Sequence, residues 1–486
     1  MNITLQQIAS ACGGKLCRAE GKENMQIEGA VLDSRQVQPG YLFFATKGER
    51  VDGHSFIPAV AEKGAICTVC EKEPETEIPY ILVEDSFQAL KDVAEYYRQS
   101  LDITVVGITG SVGKTSTKEF IAGVLSEKYN VLKTEGNFNN EVGLPLTILK
   151  IREEHEVAVV EMGISEFGEM HRLSKVAKPD ICVMTNIGQC HLENLKSREG
   201  ILKAKSEIFD FMNELGYVVL NGDDDMLATV KEVHGIRPIR FGFGVASETG
   251  TAKVEAASIE SASLKEDSAN DCTKDVFATD IVNRGLFGSE AMMHIEGSEY
   301  PIQVTLPGEH MVYNALAAAC VGRILEMEIP QIQSGIEKVR PVGGRSNIIR
   351  APKYTVIDDC YNANPVSMKA AIDLLQSADG RKVAILGDMF ELGAKEKEMH
   401  AEVGSYAVGK AIDMLLCVGI LSRNMYEGAM NALDDTQTNK EAVYYFETKA
   451  ELMERLPEIL VEGDTVLVKA SHGMHFEEVV GWLENQ

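Results

Sequence analysis

Ile103-Thr104-Val105-Val106-Gly107-Ile108-Thr109-Gly110-Ser111-Val112-Gly113-Lys114-Thr115-Ser116-Thr117 is the stretch whose reading decides the fold. Ile103 to Ile108 is a β-branched run bounded by glycines, the pattern of a strand buried inside a sheet. A helical pattern follows the glycines, with Phe120, Ile121, Val124 and Leu125 on one face. Strand, glycine-rich turn and helix N-terminus in that order aim backbone N–H groups and the positive end of a helix dipole at one point. Such a point suits phosphate. Gly110, Ser111, Val112, Gly113, Lys114, Thr115 and Ser116 are the expected cradle of ATP, with Lys114 on the β- and γ-phosphates and the Thr115 hydroxyl on Mg²⁺. The usual spacing fails because Ile108 holds the first glycine position, and the shorter Thr-Gly-Ser-x-Gly-Lys-Thr fits instead. A chance Gly/Ser turn is the alternative, and the flanking strand and helix count against it.

Outward from this loop the pattern stays α/β. Val157 to Val160, Ile181 to Thr185, Tyr217 to Leu220 and Pro238 to Gly242 read as further buried strands with helical stretches between them. They predict a mainly parallel sheet. From about 246 to 305 the pattern turns to short alternating strands, expected as an antiparallel appendage with a mobile loop at Ser261 to Thr273. Before the loop, Tyr41 to Ala45, Ile66 to Val69 and Tyr80 to Val83 predict a small α/β unit closed by a helix over Ser86 to Ser100. After it, Thr355 to Asp358, Lys382 to Leu386, Met414 to Val418, Val443 to Phe446 and Thr465 to Val468 predict a Rossmann-like doubly wound domain, with site residues at the strand ends. The expected domains are 1–99, a central P-loop domain over 100–328, and 329–486.

Composition bounds the function. The chain has 486 residues, 45% of them hydrophobic, enough for several domains with real cores. A net charge of −27 argues against a nucleic-acid or anionic-membrane surface, so phosphate binding has to be local. No apolar run approaches a membrane span, no signal sequence opens the chain, and the ten cysteines form no framework. A cytoplasmic protein is expected. The exit of the strand after the loop carries Glu161, where a magnesium ligand belongs beside a phosphate loop; a surface glutamate is the alternative.

Several segments in order resemble the Mur ligase family. They are Thr109 to Thr117, the run Thr134 to Pro145 with Asn137, Asn139 and Asn140, Glu161-Met162-Gly163, His191-Leu192-Glu193, and Ala204-Lys205-Ser206-Glu207-Ile208. Asp33-Ser34-Arg35, Asp52-Gly53-His54-Ser55-Phe56 and Asp358-Asp359-Cys360-Tyr361-Asn362-Ala363-Asn364-Pro365 resemble the branch that adds D-alanyl-D-alanine to UDP-N-acetylmuramoyl-tripeptide. The Asp-Asn-Pro-Arg motif of the diaminopimelate-adding relative is absent, and His472 stands where many relatives have arginine.

The resemblance implies an ATP-dependent amide ligase acting through an acyl phosphate, with two Mg²⁺ ions, and a monomer is expected. It implies that Glu161 and Thr115 hold one ion, and that His191 and a carbamylated Lys205 hold the other. It places Asn314 near adenine, Arg345 on the γ-phosphate, and Asp359 and Asn362 toward the nucleotide. Ser34, Arg35 and His54 would meet the uridine diphosphate, Asn137, Asn139 and Asn140 the muropeptide, and Lys469 and Ser471 the D-alanyl-D-alanine. Each has a plainer alternative: Lys205 a solvated helix lysine, His191 a structural histidine, Asn314 a helix cap, Arg345 a surface arginine after a Gly-Gly turn. Folylpolyglutamate synthase or a sibling ligase is the nearest rival activity. A P-loop regulatory module is the more distant one, and it lacks the expected Asn-Lys-x-Asp, since Asn439-Lys440 is followed by Glu-Ala.

Overall fold

The structure is a computed structural model that describes residues 1–48, 51–244, 274–410, 412–436 and 442–486. The Ser261 to Thr273 segment lies outside the described residues. Three sheets organise the chain. The first runs Lys15–Cys17, Tyr80–Leu82, Cys67–Cys70, Tyr41–Phe44, Gly29–Val31, parallel except at the Lys15–Cys17 edge. Leu42, Phe44, Val69 and Ile81 on one face bury against Leu90, Val93 and Ala94 of the helix Ser86–Gln99.

The central sheet has nine strands. Its order is Ser298–Val304, Ser289–Ile295, Val276–Asn283, Ile239–Phe243, Tyr217–Asn221, Ile181–Met184, Thr104–Thr109, Val157–Glu161, Val131–Lys133. The strand before the phosphate loop therefore sits between the strand ending in Glu161 and the one preceding Thr185, which brings three strand exits together. The region expected as an antiparallel appendage is present, and it joins the main sheet. Its three strands are antiparallel to one another, but Val276–Asn283 pairs in parallel with Ile239–Phe243 and extends the main sheet. Burial explains it: alternate residues Val276 and Ala278, Met293 and Ile295, and Ile302 and Val304 share one core with the helix after the phosphate loop. The edge strand carries Pro301, whose carbonyl accepts from Gln333 Nε2 at 2.7 Å.

The third sheet runs Asn347–Arg350, Thr355–Asp358, Thr465–Lys469, Lys382–Gly387, Met414–Val418, Val443–Phe446, parallel except at the Asn347–Arg350 edge. All five strands expected there are present. Their continuous apolar runs fit strands covered by helices on both faces.

The helix Lys114–Leu125 packs on the central sheet beside the helices Met311–Ile324 and Ile329–Lys338. Met311–Ile324 is buried on nearly every face, so its alanine-rich sequence is apolar all round. The contact with Ile329–Lys338 narrows to backbone against backbone at one point: a Cβ on Gly335 would stand 2.4 Å from Val124 Cα. Gly335→Ala must push apart the helix that carries Lys114. Urea unfolding is expected to show a loss of about 1–3 kcal/mol, the usual cost of overpacking; a change below about 0.5 kcal/mol, the range of ordinary surface substitutions, would show that the contact yields.

Candidate active site

The phosphate loop is fastened to the neighbouring strand exit. Ser111 N donates to Asn186 O at 3.0 Å and Val112 N to Asn186 Oδ1 at 2.9 Å, while Thr185 Oγ1 and Asn186 Nδ2 both donate to Val112 O. Gly188 N donates to Ser111 Oγ at 2.9 Å. Gly110 is required by this closeness, because a Cβ there would lie 1.9 Å from Thr185 Oγ1. Gly113 adopts φ +84° at the start of the helix, and no side chain caps that helix, so its first N–H groups suit an anion. Lys114 Nζ donates to Gly110 O at 2.8 Å, which holds the ammonium over the loop. Thr185 and Asn186 escaped the sequence reading, although the rule that ligands gather at adjacent strand exits could have found them.

Glu161 is 2% exposed and fully engaged. Thr115 Oγ1 donates to its Oε2 at 2.8 Å and Asn139 Nδ2 to its Oε1 at 2.8 Å. Gly163 N donates to Asn139 O at 2.8 Å, so Asn139 is locked on both sides of its own residue. Hydroxyl and carboxylate oxygens are hard donors that fit Mg²⁺. Among the described residues no three His, Cys, Asp or Glu side chains converge on one point. A chain offering few ligands suits an ion that keeps waters and phosphate oxygens in its shell.

His191 and Lys205 stand farther along. His191 has left-handed backbone at φ +51°, and its Nδ1 approaches Glu391 Oε2 of the third sheet's region at 2.5 Å, close but oblique and without an aligned hydrogen bond. The imidazole holds the Glu391 carboxyl below the usual range. Lys205 is 1% exposed and has no hydrogen-bond or ion-pair partner among the described residues. The solvated helix lysine is thereby ruled out. Burial pulls its amine down to about 8, opposed by Cys190 and aided by the Lys114 charge. An amine of that basicity is roughly one-tenth neutral at pH 7, against well under one-hundredth for an ordinary lysine.

The third sheet closes the cleft from the other side. Asp358 Oδ2 accepts from Gly344 N at 2.7 Å and Asp359 Oδ1 from Ser346 N at 2.9 Å, which pins the turn carrying Arg345. The Arg345 guanidinium lies 4.0 Å over the Tyr361 ring, whose other neighbour is the His472 ring at 5.3 Å. Lys469 is 2% exposed, and its Nζ bonds Asp359 Oδ2 at 2.5 Å and Asn362 O at 3.0 Å. Asn314 Oδ1 accepts from Thr117 Oγ1 at 2.8 Å, tying its helix to the phosphate-loop helix.

One cavity of about 710 Å³ is lined by Ser111 to Ser116, Asn139, Asn140, Glu161, His191, Asn314, Arg345, Asp359, Asn362 and Lys469. Tyr313 also lines it, stacked on Phe243 at 4.0 Å and donating to Asp223 Oδ2 at 3.0 Å, a platform the sequence reading missed. Asn137, Ser471, Ser34, Arg35 and His54 lie outside that lining. Asn137 is exposed, and Ser471 is buried with its Oγ accepting from Phe390 N at 2.9 Å. Arg35 is exposed and paired with Asp33, whose carboxyl its hydrogen bonds hold down at about 2, while Ser34 O accepts from Lys63 Nζ at 2.8 Å. His54 is bridged inside its own domain: Nδ1 bonds Asp52 Oδ1 at 2.7 Å and Nε2 accepts from Glu71 N at 2.9 Å.

Comparison with known proteins agrees with this architecture. Family profiles match residues 26–101 (Mur ligase family, catalytic domain), 108–322 (Mur ligase middle domain) and 344–472 (Mur ligase, glutamate ligase domain). The UDP-N-acetylmuramoyl-tripeptide--D-alanyl-D-alanine ligase of Bacillus subtilis is 34% identical over 98% of this chain and 97% of its own. A crystal structure of MurF from Acinetobacter baumannii superposes with a TM-score of 0.84 at 30% identity, covering 99% of this chain and 98% of that one. The MurF ligase of Thermotoga maritima in complex with ADP gives 0.76 at 29% identity over 94% and 97%. Full-length likeness of this kind, on a chain whose central and third domains line one cavity at the phosphate loop, shows that it belongs to the Mur ligase family.

Proposed function

We propose that this chain is an ATP-dependent ligase that joins D-alanyl-D-alanine to UDP-N-acetylmuramoyl-tripeptide in peptidoglycan precursor synthesis. The observation that carries the reading is the Thr115–Glu161–Asn139 chain of hydrogen bonds beside the phosphate loop, facing Arg345 and Asp359 across one cavity. A terminal carboxylate oxygen of the tripeptide attacks the γ-phosphorus, and the bond to the ADP oxygen breaks. The D-alanyl-D-alanine amine then attacks the acyl carbon, loses a proton, and phosphate leaves with its oxygen. The difficulty is bringing an anion to a polyanion: each unit pair at ~4 Å costs about 1 kcal/mol in water and roughly 4 at an effective dielectric of 20. Lys114 and Arg345 supply fixed positive charge where it is needed, though the protein as a whole is acidic.

Thr115 and Glu161 would hold one Mg²⁺, and His191 with the carbamate of Lys205 the second. Bound there, the ions would neutralise the β- and γ-phosphates and the attacking carboxylate. Burial supports the carbamate, because a neutral lysine nitrogen is what adds to carbon dioxide. Asn314 and the Tyr313 platform border the base, and Asp359 and Asn362 the rest of the nucleotide. Ser34 and Arg35 meet the uridine diphosphate, with His54 shaping that loop, and Asn137 and Asn140 meet the muropeptide. Lys469 and Ser471 shape the dipeptide pocket through Asp359 and Phe390. No helix among the described residues can cross a membrane, and nine cysteines there are unpaired, which supports a cytoplasmic setting.

Two outcomes follow. Phosphate release is expected only when UDP-N-acetylmuramoyl-tripeptide and D-alanyl-D-alanine are both present; steady release with either omitted, or with a folate substrate instead, would overturn the assignment. Lys205→Ala is expected to lower kcat by at least about 100-fold, with partial recovery in millimolar formate or acetate. Wild-type turnover in that variant would remove the carbamate from the reading.

A further inference from the structure

The third sheet sends one turn toward the central sheet, and that turn is held from several directions. It follows the strand Lys382–Gly387 and runs Asp388-Met389-Phe390-Glu391. Asp388 Oδ1 accepts from Ser422 N at 2.7 Å and Ser422 Oγ at 2.6 Å. Met389 N donates to Nε2 of buried His400 at 3.0 Å, and His400 Nδ1 lies 2.6 Å from Glu396 O. Phe390 N donates to Ser471 Oγ at 2.9 Å. Three successive residues are thus fixed by partners from three elements. Glu391 comes next, at φ +61°, and its carboxylate reaches out of the third domain to His191 Nδ1. Beside that contact Gly393 faces the Glu193 backbone, and Leu192 packs against the third domain's core.

The contact is a close approach across the domain boundary rather than an aligned hydrogen bond, and it turns the Nδ1 edge of the ring toward the third domain. A carboxylate on the far nitrogen is also how metal-binding imidazoles are commonly oriented and made more basic. We infer that Glu391 is a positioning residue that sets the ring orientation of His191, so that the second cation position is complete only when the third domain lies against the central one. Closure and assembly of the site are then one event. The inference rests on the reading of His191 as a ligand. Glu391 lies outside the lining of the large cavity, so it acts through His191 rather than on the nucleotide.

Mn²⁺ with ADP, added to the full-length chain, tests it without turnover. Electron spin-echo modulation reports an imidazole nitrogen on Mn²⁺, and titration reports affinity. In the wild type the nitrogen signal is expected, and His191→Ala should abolish it. Glu391→Ala should also lose it and weaken Mn²⁺ binding about 10–100-fold, whereas Glu391→Gln, which keeps the side chain's shape and an oxygen beside Nδ1, should stay within about threefold of wild type. The Glu391 side chain is 60% exposed, so neither variant threatens the fold. An unchanged signal and affinity in Glu391→Ala would overturn the positioning role and leave His191 a ligand. A wild type without any His191-dependent signal would overturn the ligand reading itself, and this inference with it.

Discussion

A buried carboxylate beside a phosphate loop is the interaction on which the rest of this molecule turns. Glu161 ends a strand covered on both faces, and an ionised group there costs several kcal/mol unless it is fully bonded. Thr115 and Asn139 supply those bonds, one from the helix after the loop and one from the asparagine-rich run. The strand order makes this possible, because it sets the strand to Glu161 directly against the strand to Gly110. Once those two exits are adjacent, the hydroxyl, the carboxylate and the loop N–H groups form one polar point at the base of the cavity. The third sheet needs only to bring Arg345 over it.

The parallel strands were legible because burial on both faces leaves runs such as Val157 to Val160 with no polar interruption. Glu161 and the loop were legible for the same reason: polar residues directly after such runs stand out. The place of Val276–Asn283 was not, since alternation shows which face is buried and not which strand is the neighbour. Lys205 was read both ways, and only packing removed its solvent. Asn139, expected to meet substrate, lines the cavity, and its amide also orients Glu161, a contact between residues 22 positions apart that no local pattern encodes. The turn at Asp388 to Glu391 was invisible because Ser422, His400 and Ser471 reach it from distant parts of the chain.

Charge is distributed by the same logic. Most cations are spent on the surface or as internal ties: Lys469 binds Asp359, Arg98 binds Asp180, and Lys118 binds the Thr134 carbonyl. Among the described residues, the Lys114 ammonium is bonded only to its own loop, and the Arg345 guanidinium meets only an aromatic face. Both line the cavity. A protein with a net charge of −27 can therefore be selective for anions at one point while its exterior repels nucleic acid.

Pro301 gives the central sheet a further property. Its strand is the last of the nine among the described residues, and the ring removes one ladder donor while Gln333 occupies the carbonyl of the same residue. An open strand edge of this length would otherwise be a template for another copy's edge. Blocked at its middle, it offers an incoming strand an interrupted ladder in place of a continuous one.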